Sequence, residues 1–239
     1  MPTLEDLRIH LYADGADYDT MLRLATHPYV RGFTTNPSLM RAAGVREYEG
    51  FAQTLLAAIP HLPISFEVIG DTYAEMERQA RRIATWRPTN VYVKIPVTNS
   101  EGLTSFGVIR RLTLTGVCVN VTAVFTLQQV AGLRWVLENG APAIVSIFAG
   151  RIADTGRNPV PLVEAAVELL RPYPNVQVLW ASTREVYNIV QADQAGAHII
   201  TVTPDILTKL ALVGKSLEGY SRETVCQFYH DALKAGYTL

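Results

Sequence analysis

Cysteine is scarce in this chain of 239 residues: only Cys118 and Cys226 occur, far apart and in apolar surroundings. That excludes a disulfide framework and a cysteine-based metal site, and it fits a reducing cytoplasm. Long apolar runs are also missing. No stretch approaches the roughly 18 uninterrupted apolar residues of a spanning helix, so no membrane association is expected. The start, Met-Pro-Thr-Leu-Glu-Asp, has no basic segment followed by an apolar one, which argues against a signal peptide. Without secretion, the sequon Asn120-Val121-Thr122 carries little weight. No one sign of charge dominates: 21 basic residues stand against 22 acidic ones and form no run. A nucleic-acid face is therefore not expected, and an anionic substrate would have to be held by a few placed arginines. The five histidines, His10, His27, His61, His198 and His230, include no pair at ligand spacing, so no metal is expected. Neither a glycine-rich nucleotide loop nor a serine in a nucleophile elbow is present.

What the chain does contain is a repeat of short β-rich apolar runs and amphipathic stretches. The runs fall at 8–14, 32–36, 64–69, 90–95, 117–124, 143–148, 176–181 and 198–203. The helix-like stretches lie near 17–26, 46–58, 72–86, 101–113, 126–139, 159–170, 184–194 and 205–213. Near-continuous apolar strands separated by helices indicate a parallel sheet buried on both faces. Eight such units favour closure, and the expectation is an α/β fold, a (β/α)8 TIM barrel, as a single domain over 1–239. Gly140 and Gly196 end helices before the sixth and eighth strands, and Pro159 and Pro161 suit the first turn of the sixth helix. The tail at 221–236 reads as an extra C-terminal helix, with Ser221 as its candidate cap. Its apolar residues Val225, Phe228, Tyr229 and Leu233 are expected to cover the barrel, with contact to a neighbouring subunit as the alternative.

One residue breaks the apolar pattern. Lys94 stands inside Asn90-Val91-Tyr92-Val93-Lys94-Ile95-Pro96. Burying an ammonium is costly unless it is paired or loses its proton, and a neutral lysine amine can condense with a carbonyl. A lysine near a strand end that reaches to water or to a carboxylate would also account for it. The polar residues of the other strands collect at the same, C-terminal end: Asp14, Asn36, Glu67, Asn120, Thr122, Ser146 and Ser182. Singly, Asp14 could cap a helix, Asn36-Pro37 could make a turn, and Ser182 could cap the helix near Arg184. Together they form a constellation on the face where barrel enzymes place their chemistry. A lysine imine is an electron sink for cleaving the adjacent carbon–carbon bond, and Asp14 and Glu67 are candidates for the acid–base steps. Asn36, Asn120 and Ser146 could hold hydroxyl groups. Arg151 and Arg184 offer forks for a phosphate, with a surface salt bridge as the alternative.

These residues carry a resemblance. The chain resembles the transaldolase family, in particular its short-chain branch with the fructose-6-phosphate aldolases, from about residue 9 to 215 and in its tail helix. The motifs are Thr34-Thr35-Asn36-Pro37-Ser38-Leu39, Val93-Lys94-Ile95-Pro96 followed by Glu101-Gly102, and Asn120-Val121-Thr122-Ala123. Ser146-Ile147-Phe148-Ala149-Gly150-Arg151 and Ala181-Ser182-Thr183-Arg184 complete them. The resemblance implies Lys94 as the Schiff-base lysine, Asp14 as acid–base, and Glu67 with Thr122 positioning a proton-shuttling water. It implies that Asn36, Asn120 and Ser146 bind a dihydroxyacetone unit, and that Arg151, Ser182 and Arg184 bind phosphate. It further implies sugar-phosphate substrates, no metal or organic cofactor, and a homo-oligomer, pentameric or decameric. Glu67 and Phe148 are the transaldolase pair, where the aldolase branch typically carries glutamine and tyrosine. Ile147, Ala149, Thr183 and Gly15-Ala16 depart from the usual pattern near the substrate and leave the acceptor sugar open.

Overall fold

The computed structural model describes residues 6–87 and 89–238. The reading of the N-terminal start falls on Met1–Glu5, outside the described residues. Strands and helices alternate as β1 His10–Asp14, α1 Tyr18–Ala25, β2 Val30–Thr34, α2 Pro37–Ala42, α3 Tyr48–Ala58, β3 Ile64–Glu67 and α4 Tyr73–Trp86. Next come β4 Val91–Pro96, α5 Phe106–Leu114, β5 Val119–Val124, α6 Leu127–Leu137, β6 Ala143–Ile147, α7 Ala149–Asp154 and α8 Val160–Leu170. The chain ends with β7 Val176–Trp180, α9 Tyr187–Gln194, β8 Ile199–Val202, α10 Pro204–Thr208 and α11 Leu217–Ala235. The eight parallel strands close in sequence order, β1 pairing with both β2 and β8, to give the expected (β/α)8 barrel.

Strand alternation divides the side chains between two cores. On β4, Val91, Val93 and Ile95 point outward beneath the helices and are buried, whereas Tyr92 and Lys94 point into the barrel. The barrel interior is filled near its lower end by Tyr12, Ile144, Leu179 and Ile199, with Tyr92 against them. Gly32 makes room for this layer. A Cβ there would lie 2.6 Å from the Tyr12 ring, so the glycine lets an aromatic plug the barrel floor. Burial on both faces is why these strands read as apolar runs, not as alternating patterns.

Local signals set the helix starts. Thr72 with Glu75 and Thr126 with Gln129 form reciprocal capping boxes at α4 and α6. Asp17, not Asp14, caps α1 by accepting from the Thr20 amide at 2.9 Å. Asn36 accepts from the Leu39 amide at 3.0 Å and starts α2. That cap ends β2 two residues before the expected boundary. The short helices α2 and α7 fall within stretches read only as connections. Six residues carry too little periodicity to announce themselves.

The tail differs from expectation. Helix α11 begins at Leu217 behind Ser216, whose hydroxyl accepts from the Gly219 amide at 3.2 Å, so Ser221 lies inside the helix. None of its residues is buried: Val225, Phe228, Tyr229 and Leu233 are 62%, 67%, 61% and 61% exposed. The expected packing onto the barrel is therefore not what these side chains do. Among the described residues, no helix is long and apolar enough to cross a membrane.

Candidate active site

Register places the polar residues in one layer above the aromatic floor. Glu67 pairs with Lys94 across β3 and β4, Lys94 with Asn120 across β4 and β5, and Asp14 with Thr34 across β1 and β2. Above this layer opens a cavity of about 500 Å³. Asp14, Asn36, Glu67, Lys94, Thr122 and Ser146 line its floor, while Phe148, Arg151, Ser182 and Arg184 line its rim. The structure thus brings every expected site residue to one bowl except Asn120, which lies just beneath it.

Lys94 is 6% exposed and is held from two sides. Its Nζ donates to the Thr35 carbonyl at 2.7 Å and forms an ion pair with Glu67 Oε2 at 3.0 Å. This arrangement answers the cost of burying an ammonium, because both a carbonyl and a carboxylate replace its lost water. Asp14 accepts from Thr34 Oγ1 at 2.8 Å, and Thr34 Oγ1 lies 2.5 Å from Thr201 Oγ1. Since the one Thr34 hydroxyl proton points to the carboxylate, Thr201 is the donor in the second bond. Burial holds the Asp14 carboxyl above its ordinary value. The Lys94 charge and the Thr34 hydrogen bond oppose that rise, and the Glu67 charge adds to it.

Asn120 is fully buried and organises the layer from below. Its Nδ2 donates to Ser65 Oγ at 3.1 Å, and its Oδ1 accepts from Ser146 Oγ at 2.6 Å. Ser146 is thereby turned to a defined rotamer at the bowl floor. Asn36 has a double position: its Oδ1 is engaged in capping α2, which leaves Nδ2 as the donor for a ligand. Thr122 is 2% exposed and precedes Ala123, whose φ of 58° marks an irregularity in β5 where the pairing with β6 shifts register. That bend turns the end of β5 along the bowl wall.

The rim carries the two arginines. Arg151 stacks over the Phe148 ring at 5.3 Å from its centroid, and Phe148 in turn meets Phe125. Arg184 forks onto the Asp154 carboxylate, so the salt-bridge alternative holds for it while it also lines the cavity. Ser182 does not cap a helix. Helix α9 starts only at Tyr187, and Ser182 adopts a left-handed φ of 64°. Its carbonyl lies against Gly150: a Cβ at position 150 would come within 1.6 Å of that oxygen.

Sequence reasoning did not single out Thr34, Thr35, Ser65, Thr201 or Asp154 for a site role. A signal existed for Thr201, a polar residue two positions from Ile199 near a strand end. No spacing could have announced the Thr35 carbonyl, because any residue has one. Among the described residues, no group of three histidine, cysteine or acidic side chains is placed to hold a metal ion.

Known proteins resemble this chain in sequence and in fold. The family described as Transaldolase/Fructose-6-phosphate aldolase matches residues 11–236. A protein of Dehalococcoides mccartyi named probable transaldolase is 35% identical over 203 residues, covering 84% of this chain and 90% of its own. Probable transaldolase 2 of Listeria monocytogenes is 32% identical over 216 residues, covering 89% and 94%. Among solved structures, a dihydrodipicolinate synthase family protein from Coccidioides immitis superposes with a TM-score of 0.62 at 12% identity, covering 96% of this chain and 78% of that one. At that identity the likeness shows the barrel alone. The sequence matches go further, and with the family spanning the whole barrel and the tail helix, the chain belongs to the transaldolase/fructose-6-phosphate aldolase family.

Proposed function

We propose that the protein is a transaldolase that moves a dihydroxyacetone unit between sugar phosphates through an imine on Lys94. The observation that carries this reading is the buried Lys94 with Glu67 at 3.0 Å, opening into a cavity that also holds the Asp14 carboxyl. The Lys94 amine, once it has passed a proton to an acceptor, attacks the ketone carbon of a ketose phosphate. Loss of water from the carbinolamine leaves an iminium. Glu67, with a water held by Thr122, supplies and removes the protons of these steps. Asp14 then takes the proton of the hydroxyl two carbons from the iminium carbon. The carbon–carbon bond breaks, its electrons enter the iminium to give an enamine, and an aldose phosphate departs. The enamine next adds to an acceptor aldehyde, Asp14 returns the proton, and hydrolysis frees the lysine. Asn36 and Ser146 hold the hydroxyls of the three-carbon unit, with Asn120 orienting Ser146 from beneath the bowl, and Arg151, Ser182 and Arg184 hold the phosphate.

The rival reading is an aldolase that protonates the enamine and releases dihydroxyacetone. Phe148 on the rim speaks against it, since a phenyl ring brings no proton to that carbon. The decisive measurement is glyceraldehyde 3-phosphate release from fructose 6-phosphate with and without erythrose 4-phosphate. Release that requires the acceptor and disappears in Lys94→Met is expected. Equal release without acceptor would move the protein to the aldolase reaction.

A further inference from the structure

A break in the ladder between β2 and β3 sits beside Lys94 and Glu67. Two rungs are regular: the Phe33 amide donates to the Pro63 carbonyl at 2.8 Å and the Thr35 amide to the Ser65 carbonyl at 3.1 Å. In a parallel ladder the next rungs run from the Glu67 amide to the Thr35 carbonyl, then from residue 37 to the Glu67 carbonyl. Neither forms. The Thr35 carbonyl accepts from Lys94 Nζ, and Pro37 has no N–H to give. Both main-chain polar groups of Glu67 would be left without partners on that side, at a cost for each.

One side chain takes both rungs. Tyr48 Oη accepts from the Glu67 amide at 2.8 Å and donates to the Glu67 carbonyl at 2.8 Å. A phenol hydroxyl is both donor and acceptor, which neither a phenylalanine nor a lysine ammonium can match at a single atom. The ring is caged by Phe66 and Trp86, with centroids at 6.5 and 6.1 Å, and the Trp86 indole N–H is fixed on Glu49 at 3.2 Å. Burial pushes the Tyr48 phenol up, so it keeps its proton and remains a donor. Tyr48 itself is not among the residues that line the bowl.

We infer that Tyr48 is a positioning residue for Glu67: its hydroxyl replaces two missing strand rungs, anchors the Glu67 main chain, and leaves the Thr35 carbonyl to Lys94. This rests on the reading of Lys94 and Glu67 as the reacting pair. The carboxylate can sit 3.0 Å from Nζ only while the last residue of β3 stays in register with β4.

The test is a double-mutant cycle of Tyr48→Phe and Glu67→Ala, read as steady-state transfer from fructose 6-phosphate to erythrose 4-phosphate and as borohydride-trapped imine. Tyr48→Phe keeps the caged ring and removes only the hydroxyl. It is expected to lower kcat about tenfold with KM changed less than about twofold. In the Glu67→Ala background the same change should cost less than about threefold, because no carboxylate remains to be positioned. An equal loss in both backgrounds, or no loss in either, would overturn the role of Tyr48 while leaving the imine reading intact. Failure to trap an imine in the unmodified protein would instead overturn the Schiff-base reading, and this inference with it. Should Tyr48→Phe not fold, Trp86→Phe, which loosens the cage and keeps the hydroxyl, takes its place under the same criterion.

Discussion

Glu67 and Lys94 stand opposite each other in the β3–β4 register, and their side chains meet at 3.0 Å with 16% and 8% of their side-chain surface exposed. Strand pairing, not the reach of two flexible side chains, brings them together. The pair therefore bears on stability as well as on the proposed chemistry.

Glu67→Ala is expected to destabilise the protein by about 3 kcal/mol, because it leaves a buried ammonium with only the Thr35 carbonyl. Urea denaturation at neutral pH measures this. The double variant Glu67→Ala/Lys94→Met removes the stranded charge and should recover most of the loss. A single variant as stable as the parent would show that the ion pair anchors nothing.

Asp14 makes stability depend on pH in the opposite sense from a salt-bridged carboxylate. Burial raises its folded value above the ordinary 3.8. As pH climbs past that ordinary value, the unfolded chain gives up its proton while the folded state keeps it. The folded state then binds more protons, so stability falls as pH rises and levels off above the folded value. Asp14→Asn retains an acceptor for Thr34 and removes the titration. Its advantage in denaturation midpoint over the parent should grow across that window and then hold steady. Parallel midpoint curves from acid to neutral pH would refute this. With Asp14 as the base, the acid limb of the rate profile should also lie above the ordinary carboxylate range.

Gly150→Ala tests the close approach of α7 to the end of β7. The added methyl would lie 1.6 Å from the Ser182 carbonyl oxygen, a main-chain atom that cannot rotate away. A loss of about 3 kcal/mol is expected from this overpacking. KM for a phosphorylated ketose should rise as well, since Ser182 and Arg184 move with that segment. Unchanged melting and unchanged KM would show that the segment has slack the geometry does not suggest.

The barrel and most of its bowl were legible because both rest on local signals. Apolar runs separated by amphipathic stretches specify parallel strands under helices, and polar residues at the strand ends then fall on one face whatever the loops do. Lys94 stood out because an ion within an apolar strand needs an explanation. Other features had no local signal. The tail residues Val225, Phe228, Tyr229 and Leu233 read as core, since amphipathicity shows that a face is apolar but not whether this chain covers it. Ser216 starts that helix five residues earlier than Ser221 would have, and both are serines before plausible helix. Arg184 was readable as a cation at the rim, but its fork on Asp154 joins residues thirty positions apart.

By itself the sequence determined the eight-fold alternation, the lysine inside the fourth strand, and the acids and amides at the strand ends, because those follow from residue type and period. Tertiary structure alone decided that the Thr35 carbonyl faces Lys94, that Thr201 backs Thr34 against Asp14, and that Tyr48 completes the ladder at Glu67. Each of these is a contact between segments far apart in the chain, made by groups whose partners are chosen only once the barrel closes and its registers are set.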